Sequence, residues 1–189
     1  MKKYSLLFLI TAALLSCNPK QEDAAKKETD ASADTVNIEA RLKELNIELT
    51  TPKPPTANFV KTVRVGNLVY TSGHGPDRAE GGPMTGRVGD DLTLEQGQEA
   101  ARLTGIALLS SLKAEIGDLS KVKRVVKVLG MVQCTPEFKD QPKVMNAFSD
   151  MMVALFGEKG KHARSAVGFS ALPGNIAIEI EMIVEVEDL

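Results

Sequence analysis

H-A-R-S-A-V-G-F-S-A-L-P-G-N-I-A-I-E-I-E-M-I-V-E-V-E, from His162 to Glu187, sets how the rest of the chain is read. It reads as a hairpin, two strands joined by a turn at Leu172-Pro173-Gly174-Asn175, where Pro and Gly supply the bend. Strand side chains alternate between faces. The first run therefore puts Arg164, Ala166, Gly168 and Ser170 on one face, and Ser165, Val167, Phe169 and Ala171 on the other. One long cation over a floor of very small residues leaves space for a ligand. In the second run Ile176, Ile178, Ile180, Met182, Val184 and Val186 share a face. Glu179, Glu181, Glu185 and Glu187 share the opposite one, interrupted by Ile183. Two readings stay open on these residues alone. Arg164 and a neighbouring glutamate bind a small anion and move a proton, or they form an ion pair on a solvated face.

The chain has 189 residues, a formal net charge of −2 and no tryptophan. That length suits one domain with a sizeable core plus extra segments. The charge balance offers no basic footprint for nucleic acid or for an anionic membrane surface. Residues 1–17 read as a leader. Lys2 and Lys3 precede an apolar run that is too short to span a bilayer and ends in Leu14-Leu15-Ser16-Cys17. This ending resembles a bacterial lipobox, in which the cysteine becomes the acylated first residue. The expectation is an exported protein anchored to a bacterial membrane by lipid at Cys17, facing the periplasm or the cell surface. An ordinary signal peptide that happens to contain a cysteine is the alternative. Residues 18–36 are polar and read as a flexible tether. Residues 37–54 combine a short helix capped by Asn37 with a Pro-rich connector.

Residues 55–189 form the domain proper. Val60–Val65 and Leu68–Ser72 read as strands turning at Gly66-Asn67. Thr93 opens a helix to about Ile116, with Gln96 placed to close a capping box. Gly97 and Gly105 lie on its apolar stripe, where they permit close approach to a sheet. Val122–Val132 is a β-branched strand, and Pro142–Phe156 is a second helix. This order predicts an α+β domain, a mixed sheet with two helices packed on one face.

The glycine-rich loop Gly73–Gly89 lacks the endings of phosphate-binding loops. Cys134 is the one cysteine after Cys17, and its strand-end position reads as a buried apolar site. His74 and His162 are far apart in the sequence and lack clustered acidic or cysteine partners, so no metal site is expected. Arg164 and Glu179 remain. An arginine fork grips a carboxylate with two parallel hydrogen bonds. A glutamate can position water and take its proton.

Gly66–Pro76 (G-N-L-V-Y-T-S-G-H-G-P), Val144–Phe148, Ala163–Val167 and Leu172-Pro173 followed by Ile176–Glu181 resemble the YjgF family. This family is also called the Rid family of reactive-intermediate deaminases. The resemblance covers roughly Pro55 to Val186 and rests on the order and spacing of the motifs. It implies the chorismate-mutase-like fold and a homotrimer whose sheets form a central β-barrel. It also implies hydrolysis of 2-imino or 2-enamino acids to 2-oxo acids and ammonia, with no cofactor. By the same resemblance Arg164 holds the substrate carboxylate and Glu179 activates water for attack at C=N. Asn146, Phe59 and Ala166 shape the pocket. Phe59 stands where a tyrosine is usual, and Ala166 where active relatives carry cysteine. Two other readings stand beside this one. The chain is a non-catalytic trimer that binds a small carboxylate or a protein partner, or it has the endoribonuclease activity ascribed to some relatives. Net acidity and the leader weigh against the last.

Overall fold

The computed structural model describes residues 37–78 and 80–188. The expected leader with Cys17 and the tether lie outside the described residues.

Apolar alternation and helical stripes build the elements largely where the pattern places them. They are α1 (Ile38–Glu44), β1 (Thr62–Val65), β2 (Leu68–Thr71), α2 (Leu94–Ile116), β3 (Val122–Gln133), α3 (Gln141–Phe156), β4 (Ala163–Phe169) and β5 (Ile178–Val186). Asn37 caps α1, its side-chain oxygen accepting from the Ala40 amide at 3.0 Å. Thr93 and Gln96 form the reciprocal capping box of α2. The five strands make one mixed sheet in the order β1-β2-β5-β3-β4. Only β3–β4 is parallel, because α3 carries the chain back between them.

One expectation is corrected here. The two runs of the His162–Glu187 stretch do not pair with each other. β3 lies between them, parallel to β4 and antiparallel to β5. The Pro173–Asn175 turn, with Gly174 and Asn175 at positive φ, carries the chain across the end of β3. Gln133, 2% exposed at that end, fastens the crossing. Its side-chain amide donates to Asn175 Oδ1 at 2.6 Å and to the Gly86 carbonyl at 3.2 Å. Its side-chain oxygen accepts from the Leu172 amide at 2.6 Å.

The helices cover one face of the sheet. Val69 of β2, Val125, Val128 and Val132 of β3, and Ile178, Ile180, Met182 and Val184 of β5 are buried in the same core as Leu108, Leu112, Phe148 and Met152. Gly97 and Gly105 do allow close approach, but to α3 rather than to the sheet. A Cβ at Gly105 would overlap Met151 and press on Phe148, and one at Gly97 would press on Val144. α1 docks on the helical layer through Ile38 and Leu42, and Arg41 donates to the Ala154 carbonyl at 3.0 Å.

The aliphatic side of β5 is therefore spent entirely on the core. The opposite face of the sheet is open and mixed. Val63, Val65, Tyr70, Val167 and Phe169 are exposed on it, Val65 to 62%. Exposed apolar groups near both edges of this face, together with the two unpaired edge strands β1 and β4, call for cover. The expected cover is two further copies of the chain. Light scattering of residues 37–189 at micromolar concentration should return three times the protomer mass. A clean monomer would contradict the barrel trimer.

Candidate functional site

Arg164 lies on the edge strand β4, in register with Val128, and faces the helical layer. Its fork reaches α3. Nη1 donates to Asn146 Oδ1 at 3.2 Å and to Ser149 Oγ at 2.9 Å. Nη2 donates to the same Asn146 Oδ1 at 3.2 Å and to the Pro142 carbonyl at 3.4 Å. Residues 142, 146 and 149 share one helix face by their spacing of four and three. Asn146 Oδ1 thus sits between the two terminal nitrogens, the place a carboxylate oxygen would take. All these acceptors are neutral. Among the described residues no carboxylate pairs with Arg164, so its charge stays uncompensated.

The floor beside Arg164 is not open. Met145 fills the space over Gly130, next to Ala166, and Gln141 with Cys134 covers Gly168. Ala166 itself packs against the core. The small residues admit α3 rather than a ligand, and ligand access to Arg164 comes from the exposed Asn146 side.

Glu179 lies on the open face, in register with Met131. Its carboxyl rests on the backbone of Gly73, where a Cβ would overlap it. Partial burial holds its pKa above the ordinary carboxylate value, and the neighbouring Glu181 charge adds to this. It has no ion-pair partner among the described residues. A carboxylate that accepts protons readily and is not neutralised suits proton transfer to and from water.

Within one chain these two groups do not meet. Arg164 pairs with Val128, Val128 pairs with Met182, and Glu179 is three residues further along β5. That separates them by about 10 Å along the strands and about 10 Å across them, on opposite faces. Phe59, 53% exposed, precedes β1 at the far edge of the sheet. The structure therefore joins Arg164 with Asn146, places Ala166 two residues on along the same face, and leaves Glu179 and Phe59 apart from them. It adds Ser149, which the sequence reading missed. Its spacing of three from Asn146 was the available signal. No group of three His, Cys, Asp or Glu that could hold a metal ion occurs among the described residues.

Residues 39–186 match the family model described as "YjgF/chorismate mutase-like, putative endoribonuclease". The chain is 40% identical over 152 residues to protein TCP17 of Trypanosoma cruzi, covering 80% of this chain and 95% of that protein. It is 30% identical over 134 residues to the 2-iminobutanoate/2-iminopropanoate deaminase of Dermatophagoides farinae, covering 70% and 89%. A crystal structure of an Agrobacterium tumefaciens protein of unknown function superimposes with a TM-score of 0.75 at 42% identity. That match covers 79% of this chain and 92% of the other.

The raised pKa of Glu179 has a consequence for stability. The folded state disfavours the charged form, so stability conferred by the protonated form is lost as pH rises through the raised pKa. Glu179→Gln carries no charge at any pH. Its thermal midpoint should exceed that of the wild type at pH 7. The gap should close below the ordinary carboxylate value of 4.5. An equal or lower midpoint at pH 7 would mean that Glu179 is not strained by burial.

Proposed function

We propose that the chain, which belongs to the YjgF/chorismate mutase-like family, hydrolyses reactive 2-imino and 2-enamino acids to 2-oxo acids and ammonia. The observation that carries this reading is the pairing of opposite chemistries without internal neutralisation. Arg164 is an arginine fork held only by neutral acceptors, and Glu179 is a carboxyl held above its usual pKa with no cation on it. The similarity to a 2-iminobutanoate/2-iminopropanoate deaminase supports the same reading.

Because the two groups lie on opposite faces of one sheet, a working site needs two protomers. Arg164 and Asn146 come from the β4 edge of one copy. Glu179 and Phe59 come from the open-face side of the next. A head-to-tail interface of this kind closes into a ring, as a cyclic trimer requires. Substrate carboxylate displaces Asn146 Oδ1 from the fork and gains two charge-assisted bonds. Glu179 takes a proton from water as the oxygen adds to the C=N carbon. The resulting carbinolamine receives that proton on nitrogen and expels ammonia as its hydroxyl proton returns to Glu179 and then leaves with the ammonia as ammonium, giving the 2-oxo acid. A protonated imine is already electrophilic, so no cofactor enters. The leader reading adds that this takes place in the periplasm or at the cell surface, with the enzyme held to a bacterial membrane by the lipid on Cys17.

A second reading is a trimer that binds small carboxylates without turnover. Phe59 and Ala166 favour it, since they stand where tyrosine and cysteine are usual in hydrolysing relatives.

Ammonia release from imino acids generated in situ separates the two. Arg164→Ala should abolish turnover and carboxylate binding. Arg164→Lys should recover little, because an ammonium cannot copy the two-pronged grip. Glu179→Gln should spare binding and slow hydrolysis by a factor on the order of 10²–10⁴. Wild-type protein that binds pyruvate but releases no ammonia would leave the binding-only reading. Arg164→Ala with unchanged binding and turnover would refute both.

A further inference from the structure

His162 directly precedes β4, two residues from Arg164, and its ring is bonded at both nitrogens. Nδ1 lies 2.7 Å from the Gly160 carbonyl. A carbonyl only accepts, so Nδ1 carries the hydrogen. In the neutral ring Nε2 then has a lone pair, and Ser149 Oγ lies 3.1 Å from it. The Ser149 hydroxyl therefore donates to His162, and its own lone pair accepts from Arg164 Nη1 at 2.9 Å. The three groups form a directed chain, Arg164 to Ser149 to His162 to the Gly160 carbonyl. Aligned donors and acceptors of this kind polarise and strengthen one another.

We propose that Ser149 and His162 are positioning residues: the neutral His162 ring, acting through the Ser149 hydroxyl, holds the Arg164 fork in the orientation that receives a carboxylate. This rests on the reading of Arg164 as the clamp. Asn146 holds the fork from the side that a substrate must occupy, and leaves when it binds. Ser149 grips Nη1 beside that place and stays. Without Ser149 only the long 3.4 Å bond to the Pro142 carbonyl would hold the fork once Asn146 is displaced.

The direction of the chain depends on the charge of His162. A protonated ring donates from Nε2, so Ser149 Oγ would face two cationic donors and could donate to neither. The surroundings keep the ring neutral. Burial lowers its pKa most, the Arg164 charge lowers it further, and the Gly160 carbonyl opposes both. From α3 it meets only neutral groups, the Ser149 hydroxyl and the Phe148 ring, packed edge-on with centroids 5.8 Å apart. Nearby Lys161 is paired with Glu158 at 2.6 Å, Lys159 donates to the Val122 carbonyl, and Asp150 is exposed on α3. The folded pKa is depressed, so the neutral, positioning form is complete above the ordinary value of 6.5. It is lost as pH falls through the lowered one. Carboxylate affinity should fall with it. A purely electrostatic role for His162 predicts the reverse, since an added cation would attract the anion.

The test is the affinity of the full chain for pyruvate between pH 8 and pH 5, with nitrogen NMR of the His162 ring alongside. In the wild type, affinity should fall on acidification in step with the His162 titration. Ser149→Ala and His162→Phe should each bind about five- to tenfold more weakly at pH 8, the effect of losing one ordinary hydrogen bond. Both should lose the His162-linked pH step. Ser149→Thr keeps the hydroxyl and should restore both affinity and step. Arg164→Ala in the same assay separates the two levels of the reading. If it leaves pyruvate binding unchanged, or if the wild type does not bind pyruvate, the clamp is wrong and the inference falls with it. If Arg164→Ala abolishes binding while Ser149→Ala or His162→Phe keeps wild-type affinity and pH step, the inference alone is wrong. A free-state ring that carries its neutral proton on Nε2, or that titrates at or above 6.5, also overturns it.

Discussion

The buried carboxamide of Gln133 decides the layout on which the site depends. Three hydrogen bonds, to Gly86, Leu172 and Asn175, fasten the chain as it crosses the end of β3. Leaving a buried amide without these partners would cost on the order of 1–3 kcal/mol for each group stranded. With the crossing held, β4 and β5 fall on opposite sides of β3. Their parity then follows from register. Arg164 is aligned with Val128 and turns to the helices, while Glu179 is aligned with Met131 and turns away from them.

This separation links fold to function. On the proposed reading, a single chain offers half a site on each face of its sheet, one half cationic and one half acidic. Burial raises the proton affinity of the acidic half, and the cationic half is satisfied only by neutral oxygens. Each half is cheap to keep because neither charge is deeply buried. Bringing the halves together requires a second copy, and the open face with Val63, Val65, Tyr70, Val167 and Phe169 supplies an apolar surface for one. On that reading, assembly and chemistry both follow from the same strand order.

Much of this was legible in the sequence, element by element. The period of two in Ile178–Val186 marks a strand with one buried face, and Thr93 with Gln96 marks the start of α2. Arg164 and Asn146, eighteen positions apart and both singled out in the sequence, are hydrogen-bonded in the fold. Strand pairing was not legible, because alternation states which residues share a face and not which strand lies alongside. A Pro-Gly-Asn bend reads as a hairpin turn, yet here it serves a crossing between non-neighbours. The small residues near Arg164 were also ambiguous. Only the packing shows that Met145, Gln141 and Cys134 fill the space that Gly130 and Gly168 leave. Ser149 shows only its helical spacing from Asn146, and His162 shows nothing, until α3 is set against β4.

In the proposed enzyme Arg164 of one protomer works with Glu179 of another. Mixed trimers of Arg164→Ala and Glu179→Gln test it most directly, with subunit exchange verified by mass. Each variant alone should be inactive or strongly impaired. A one-to-one mixture should regain up to about a quarter of wild-type turnover, because that share of head-to-tail interfaces pairs an intact arginine with an intact glutamate. Mixed trimers that stay as inactive as their parents, beside an active wild type, would contradict a site shared between copies.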